Sequence, residues 1–341
     1  MKKFTFFWMA AIALMVGATM AACSKDEVAG IEPEPDSDFY TVKIGWEGEI
    51  IDVTYEPLNT RATTDDLYGI QVYSTPDKEL DEGETTTWTP YAYGLFDDPN
   101  NITITLPKGY KFKFEATMIV DGKNRIWKNE KDEYFNLFSR RPKLTNTFDY
   151  QITEGINLRN SSVRLKKEES YKDYYRPNLE RFHGELENFN PKQSSSSAII
   201  PMKRVSFGAK FVATGTLATS GILEIEMEYA PILELELTEG DDSISDIFTF
   251  DDVYGAWLND DYTETIGVSF KWIREDGSMV PLGTHSVKYT RNMTTVVTVT
   301  INKDGETEGV GFEIDDSEKG PMPENEDNSV TIVDGEVETG E

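Results

Sequence analysis

The sequence predicts an all-β protein with two antiparallel β-sandwich domains in tandem. Apolar and polar residues alternate with a period of two along many short segments, and turn-forming Gly, Asp and Asn residues separate those segments. The length of 341 residues and the hydrophobic fraction of 38% are sufficient for two ordinary domains, each with its own core.

The alternation is clearest between residues 221 and 242. Glutamates there alternate with the apolar residues Leu223, Ile225, Met227 and Tyr229, and the following segment LELEL repeats the pattern. A helix would place those glutamates on several faces, whereas a strand directs all of them to one side. We therefore expect two adjacent strands in this region.

Two Asp-Gly pairs predict tight turns. Asp121-Gly122 follows the alternating segment KFKFEATMIV, and Asp276-Gly277 follows GVSFKWIRE. Asp-Gly favours a hairpin turn because both residues tolerate a positive φ. We expect a hairpin at each pair. The sequence shows no convincing helix with caps and a 3.6-residue apolar stripe, and the best short candidate is the segment at 176–189, RPNLERFHGELENF.

The chain divides into five predicted regions. Lys2 and Lys3 precede an apolar run, and small residues then lead to the single cysteine, Cys23. This is the layout of a secretory signal peptide. The predicted regions are a signal peptide at 1–22, a flexible tether at 23–38, sandwich domains at 39–195 and 196–320, and an acidic mobile tail at 321–341.

Cys23 resembles the lipidated cysteine of bacterial lipoproteins. It follows the small residues Ala21 and Ala22, as in the lipobox, where the thiol is diacylated after cleavage. Two acyl chains hold a protein on a membrane far more firmly than one. The next segment, SKDE, resembles the acidic export tag of surface lipoproteins in the Bacteroides group. We expect a lipoprotein on the outer surface of the outer membrane; the alternative is an ordinary signal peptide with an incidental cysteine.

The charge of the chain restricts its partners. Residues 1–22 contain two of the 33 basic residues and none of the 62 acidic ones, so the mature chain has a net charge of about −31. Nucleic acid and anionic lipid would be repelled by this charge, which argues against both as partners. A single cysteine excludes a disulfide framework, so packing must stabilise the domains.

The sequence contains no recognisable catalytic or metal-binding motif. His183 and His285 lack a metal-binding spacing such as HExxH, and no GxSxG, Walker or dinucleotide motif occurs. Acidic pairs such as Asp251-Asp252 are expected at the turns of a chain this acidic. We therefore predict a protein that is not an enzyme, with no catalytic residues, no metal site and no cofactor.

Aromatic residues leave a second interpretation open, in which the protein is a surface lipoprotein that binds glycans. Sugar rings could stack on a platform drawn from Trp46, Trp88, Trp127, Trp257, Trp272, Tyr91, Tyr93, Tyr171, Tyr174 and Tyr175. Most of these residues lie within or beside alternating segments, where core packing is the usual role of an aromatic ring.

Three segments together resemble the fimbrillin family, the lipoprotein pilins and related fimbrial subunits of the Bacteroides group. IIPMKRVSFGAKFVAT, with Lys203-Arg204 and Ala209-Lys210, is similar to a core strand of that family. VKYTRNMTTVVTVTI, with Arg291-Asn292, is similar to a late strand, and DLYGIQVYS to a first strand after an N-terminal extension. The resemblance implies two transthyretin-like sandwiches and a role as a fimbrial subunit or adhesion component.

The resemblance also implies assembly by strand exchange. In the family, a protease cuts after an arginine, an N-terminal strand leaves, and a strand of the next subunit fills the groove. Arg61 is the candidate cleavage site here, with the removable strand within residues 40–55. An ordinary loop arginine and a non-polymerising tip or anchor subunit are the alternatives. The candidate donor strand is Val330, Thr331, Ile332 and Val333.

The implied partners follow from this assembly. They are other fimbrial subunits, bound by strand addition, the outer membrane through the lipid anchor, and a host or glycan receptor.

Overall fold

A computed structural model describes residues 38–49, 65–78, 85–150, 152–166, 172–193, 197–214, 221–238, 242–303 and 310–322. The first nine strands are β1 (Phe39–Gly48), β2 (Leu67–Pro76), β3 (Thr89–Phe96), β4 (Thr103–Pro107), β5 (Tyr110–Ile119), β6 (Phe148–Asp149), β7 (Val163–Arg164), β8 (Asp173–Tyr174) and β9 (Arg181–Phe189).

The later strands are β10 (Ser197–Arg204), β11 (Ser206–Thr214), β12 (Gly221–Met227), β13 (Leu233–Leu237), β14 (Asp242–Thr249), β15 (Thr263–Arg274), β16 (Met279–Thr290), β17 (Met293–Lys303) and β18 (Val310–Pro321). Within the described ranges, the helices with defined bounds are the short α1 (Gly122–Arg125) and α2 (Val253–Leu258). Neither helix is long and apolar enough to span a membrane.

Eight strands form one large sheet in the order β4-β1-β10-β9-β5-β2-β3-β6. β1 runs parallel to β10, and the other neighbours are antiparallel. The sheet bends until its two ends meet. The hydroxyl of Tyr91 on β3 donates to the carbonyl of Thr105 on β4 at 2.7 Å. The ring centres of Trp46 on β1 and Tyr68 on β2 are 5.6 Å apart. One sheet therefore provides both layers around the first core.

The outer face of the large sheet is covered by the segment between α1 and β9. Leu67 and Ile119 of the sheet share a buried cluster with Phe138 and Leu158 of that segment. Arg181 on β9 adds polar contacts, because its guanidinium donates to the carbonyl of Leu158 at 2.7 Å. The covering segment is thus part of the folded structure and not a surface loop.

The C-terminal sandwich consists of two four-stranded sheets. Their orders are β14-β11-β17-β18 and β13-β12-β15-β16, with β11 and β17 parallel and the other neighbours antiparallel. An aromatic cluster occupies the core, with the ring of Phe207 4.6 Å from those of both Phe250 and Tyr289. The two inner faces therefore share one apolar core.

The large sheet and the C-terminal sandwich are joined through a single residue. β10 ends at Arg204 and β11 begins at Ser206, so Val205 alone separates them. β10 lies after the predicted boundary at residues 195 and 196, yet it pairs with β1 and β9 in the large sheet. A link this short fixes the direction in which the chain enters the second sandwich.

The structure confirms the all-β prediction with its antiparallel sheets. Leu223, Ile225 and Met227 are buried on β12 as the alternation predicts. Asp276-Gly277 forms the turn between β15 and β16, and Gly277 has a φ of 79°. Tyr229 departs from the pattern: it follows β12 with a φ of 64° and is exposed.

The hairpin predicted at Asp121-Gly122 was wrong. Asp121 has a positive φ of 53°, but helix α1 follows it, and Ile126 bridges to Leu165 instead of returning along β5. β5 pairs with β2 and β9, so both of its edges are already occupied. The best helix candidate, at 176–189, contains strand β9 instead. Its apolar spacing resembled a helix because the other face of β9 carries buried polar residues.

We expect Phe207→Ala to lower the free energy of unfolding by about 3–5 kcal/mol, because the ring is fully buried in the aromatic cluster. Denaturant unfolding followed by circular dichroism measures the change. The matched control is Met279→Ala, whose side chain is 63% exposed and should change stability by less than about 0.5 kcal/mol. Equal effects of the two substitutions would contradict the described core.

Candidate functional site

Strand β1 is held by backbone pairing on both of its sides. Residues 39–43 pair with β4, and residues 43–48 pair with β10. The amide of Ile44 donates to the carbonyl of Ile102 at 2.9 Å. Loss of β1 would therefore leave an unpaired edge on each neighbouring strand.

The side chains of β1 alternate between the core and solvent. Val42 and Ile44 are buried and Trp46 is half-buried, whereas Lys43 and Glu47 are exposed. The buried residues share a core with neighbours on β4 and β10, namely Ile104, Leu106, Ala198, Ile200 and Met202. Without β1, these neighbours would line an apolar groove.

β4 has contacts that do not depend on β1. The hydroxyl of Tyr91 donates to the carbonyl of Thr105 at 2.7 Å, and the amide of Thr105 donates to the hydroxyl of Tyr150 at 3.2 Å. Burial raises the pKa of Tyr91 to about 12, so its hydroxyl stays protonated near neutral pH. Two tyrosines thus pair with the outward-facing backbone groups of Thr105, and Tyr91 holds β4 against β3.

Glu49 joins the end of β1 to the C-terminal sandwich. Its Oε2 accepts hydrogen bonds from Nη1 of Arg291 at 2.8 Å and from the backbone amide of Arg204 at 2.6 Å. The Arg291 side chain is only 5% exposed, against 31% for Glu49. We call the Arg204 amide and the Arg291 guanidinium the carboxylate clamp.

Other contacts fix the two residues of the carboxylate clamp in place. Nη1 of Arg291 also donates to the carbonyl of Arg204 at 2.9 Å. The guanidinium of Arg204 pairs with Glu180 at 2.8 Å and donates to the side chain of Asn292. The clamp therefore brings together Lys203-Arg204 and Arg291-Asn292, the two motifs of the fimbrillin resemblance.

A buried ionic cluster lies on the outer face of the large sheet. Nζ of Lys113 lies 2.9 Å from Oε2 of Glu185, and Nη2 of Arg159 lies 2.6 Å from Oε1 of the same carboxylate. Burial would raise the pKa of Glu185, but hydrogen bonds from His183 and Lys113, together with nearby positive charges, lower that pKa to about 2. Burial lowers the pKa of His183, so the ring is neutral at pH 7.

This cluster also contacts helix α2 of the C-terminal sandwich. The guanidinium of Arg159 lies 3.9 Å from the ring centre of Tyr254, and the His183 ring lies 5.8 Å from that of Trp257. The side chains of the ionic cluster therefore contact neighbouring elements of the fold. Among the described residues, no group of three or more His, Cys, Asp or Glu side chains could hold a metal ion.

The described tryptophans mostly pack against other parts of the protein. Trp272 is buried in the second core, and Trp127 packs on Phe135 at 5.4 Å. Tyr175 and Tyr229 form an exposed pair with ring centres 5.9 Å apart, but the rings are inclined at 74°. These two tyrosines do not form a flat platform.

The site residues predicted from the sequence lie outside the described residues. They are Cys23, Arg61, Val330, Thr331, Ile332 and Val333. The predicted removable strand is described up to Glu49 and coincides there with β1. Arg204 and Arg291 belong to motifs in the sequence, but the role of Glu49 was not predicted, because 242 positions separate Glu49 from Arg291 and no local pattern links them.

We expect Glu185→Gln to lower the free energy of unfolding at pH 7 by roughly 3 kcal/mol, because it removes one partner of a buried ionic cluster. The pKa of Glu185 in the folded state is about 2, below its ordinary value of 4.5. Its stabilising effect is therefore complete above about pH 5 and is lost as the pH falls toward 2. The variant should show a shallower loss of stability over that range.

Denaturant unfolding at several pH values tests this expectation. Glu130→Gln is the matched control, because Glu130 is exposed. If the two variants had the same pH dependence, the ionic cluster would not stabilise the fold.

No protein-family model and no curated protein matches the chain. Similar solved structures include a candidate cell adhesion protein from Bacteroides uniformis, at 11% identity over 83% of this chain and 99% of that one, with a TM-score of 0.34. The fimbrial anchor protein Mfa2 from Porphyromonas gingivalis shows 9% identity over 82% and 98% of the two chains, with a TM-score of 0.34.

A candidate polysaccharide-binding protein from Bacteroides thetaiotaomicron is similar at 10% identity over 84% of this chain and 99% of that one, with a TM-score of 0.33. At such low identities and TM-scores, these structures assign no function to this chain.

Proposed function

We propose that the protein is a fimbrial subunit or fimbrillin-like adhesion component that assembles by strand replacement at the cell surface. The observation that carries the proposal is the position of β1. This strand lies between β4 and β10, begins the described part of the chain, and precedes Arg61 in sequence. Cleavage after Arg61 would separate β1 from the rest of the chain.

Strand replacement has a clear driving force at this position. The edges of β4 and β10 that β1 now occupies would offer unpaired backbone groups, and an incoming strand would pair with both. Burying one aliphatic side chain in place of Val42 or Ile44 contributes about 1.5–3 kcal/mol. An occupied groove is therefore strongly favoured over an empty one.

The tyrosine contacts of β4 make the groove suitable for exchange. Tyr91 and Tyr150 hold β4 through Thr105, without using β1. β10 pairs on its other side with β9 at its C-terminal end, through Met202, Lys203 and Arg204. Both walls of the groove thus have support that remains when β1 leaves.

The proposed donor is the segment Val330, Thr331, Ile332 and Val333 of another subunit. Val330 and Ile332 are two residues apart, as are Val42 and Ile44 on β1. Residues two apart on a strand face the same side. The donor could therefore fill the two buried positions of the groove.

Export and anchoring complete the proposal. Lipidation of Cys23 would attach the mature chain to the outer membrane, with the acidic segment after it favouring the surface. Attachment and assembly need no catalysis, and the proposed role is not enzymatic. A host or glycan receptor is the further partner that adhesion requires.

Glycan binding is the alternative function. The exposed tyrosines would form its binding site. Tyr175 and Tyr229 would be its contact residues. Nearly perpendicular rings cannot both stack on one flat sugar face, so this pair fits the alternative less well than β1 fits strand replacement.

We expect limited trypsin digestion of the folded, unlipidated chain to cut selectively after Arg61, release the fragment that contains β1, and produce oligomers or filaments. Mass spectrometry identifies the fragment, and electron microscopy detects the assemblies. Arg61→Ala is the control and should leave β1 in place and the protein monomeric. A resistant Arg61, or a cut chain that stays monomeric, would reject polymerisation by strand replacement.

A matched pair of donor variants sharpens this experiment. Ile332→Asp places a charge at a position that should enter the groove, and we expect it to stop assembly. Thr331→Asp adds the same charge to the opposite side of the donor strand and should preserve assembly.

A further inference from the structure

His183 is a fully buried histidine at the contact between the large sheet and helix α2. Its side chain lies on the outer face of β9 and has no exposed area. The ring packs edge-on against Trp257 of α2, with ring centres 5.8 Å apart and an angle of 85° between the ring planes. The guanidinium of Arg159 lies 3.9 Å from the ring centre of Tyr254. We call these two pairs, His183 with Trp257 and Arg159 with Tyr254, the α2 contact.

The hydrogen bonds of His183 suit a neutral ring and oppose a charged one. Nε2 lies 3.3 Å from Oε1 of Glu185. An ionised carboxylate can only accept, so Nε2 carries the proton of the neutral ring. Nδ1 is buried and has no hydrogen-bond partner among the residues that the structure describes. A second proton would reside on Nδ1 without an acceptor, and a buried charge in that situation is strongly disfavoured.

Positive charges beside His183 add to this cost. Burial lowers the pKa of His183, and the cations of Arg181 and Arg159 lower it further, against the opposing effect of Glu185. Glu185 already accepts a hydrogen bond from Arg159 at 2.6 Å and lies 2.9 Å from Nζ of Lys113. The other charged groups on this face of β5, β9 and β10 are bound in ion pairs, namely Lys113 with Glu115 and Glu187, and Lys203 with Asp260.

Helix α2 is the side from which water can reach His183. Within the sheet, backbone pairing of β9 with β5 and β10 fixes the histidine on both flanks. Helix α2 contains no charged residue, and its titratable group is Tyr254. The rings of Tyr254 and Trp257 are half-buried and lie 5.6 Å apart. Movement of these two rings would admit water to His183 without breaking any strand pairing.

We propose that the α2 contact is an acid-sensitive switch, in which protonation of His183 separates Tyr254 and Trp257 of the C-terminal sandwich from the large sheet. The contact is closed while the imidazole is neutral. When Nδ1 gains a proton, the two rings move outward and water hydrates the charge. The inference goes beyond strand replacement and does not depend on it, because no residue of the α2 contact lies on β1 or in the proposed donor.

The sign of the pH effect follows from the two states of the contact. In the closed state the pKa of His183 is below its ordinary value of 6.5, whereas exposure to water restores that value. The closed state is therefore most favoured above about pH 7 and is weakened as the pH falls through the ordinary pKa. At pH 5, the ratio of open to closed molecules should be up to about thirtyfold higher than at pH 8. The pKa of Glu185, about 2, keeps that carboxylate ionised over this range.

NMR of the unlipidated chain between pH 8 and pH 5 tests the inference. The chain has only two histidines, His183 and His285, so labelled imidazoles report the protonation of each one separately. Fluorotryptophan provides a fluorine signal for Trp257, which is assigned with Trp257→Phe. We expect this signal to move to a solvent-exposed position with the same midpoint as the protonation of His183. The signal of Trp272, which is buried in the second core, should stay unchanged.

A matched pair of histidine variants assigns the transition. His183→Gln retains a donor for Glu185 but gains no proton in this range, so its Trp257 signal should be independent of pH. His285→Gln should keep the native transition. A Trp257 signal that still depends on pH in His183→Gln would overturn the inference. In the native chain, protonation of His183 without movement of Trp257, or a ring that stays neutral down to pH 5, would overturn it as well, even if His183→Gln does not fold.

Discussion

Backbone pairing on both sides of β1 is the interaction on which the large sheet depends. The strand joins β4 to β10, and its buried side chains lie in the same core as those of both neighbours. A strand in such a position cannot be lost without exposing two edges and an apolar groove. The same pairing therefore stabilises the monomer and creates the site that another strand could occupy.

The two sandwiches are connected by a very short linker and by charged contacts beside it. Val205 alone separates β10 from β11, and the clamp lies directly beside this link. The ionic cluster of Glu185 adds a second contact region, where Arg159 reaches Tyr254 of α2. These charges are buried and paired. A substitution that removes a charged side chain from one sandwich would therefore leave its contact in the other sandwich without a partner.

Most of the fold follows from local patterns in the sequence, whereas the site does not. Alternation predicted the strands around Leu223, and Asp276-Gly277 predicted a hairpin. β9 was missed because both of its faces are buried from Arg181 to Glu185, so polar residues such as His183 occupy positions that a simple pattern assigns to solvent. Glu49 could not be identified, because only the folded chain brings it to Arg291.

The carboxylate clamp gives a physical reason for cleavage and exchange to be separate steps. Cutting the chain after Arg61 would leave every described contact of β1 unchanged, including the pairing of Glu49 with Arg291. A spontaneous exit would leave an apolar groove and take the closest carboxylate from a buried cation, so the fragment that contains β1 should leave only as another strand takes its place. In the proposed assembly, exchange would therefore wait for an encounter with a second strand that offers apolar residues to the groove.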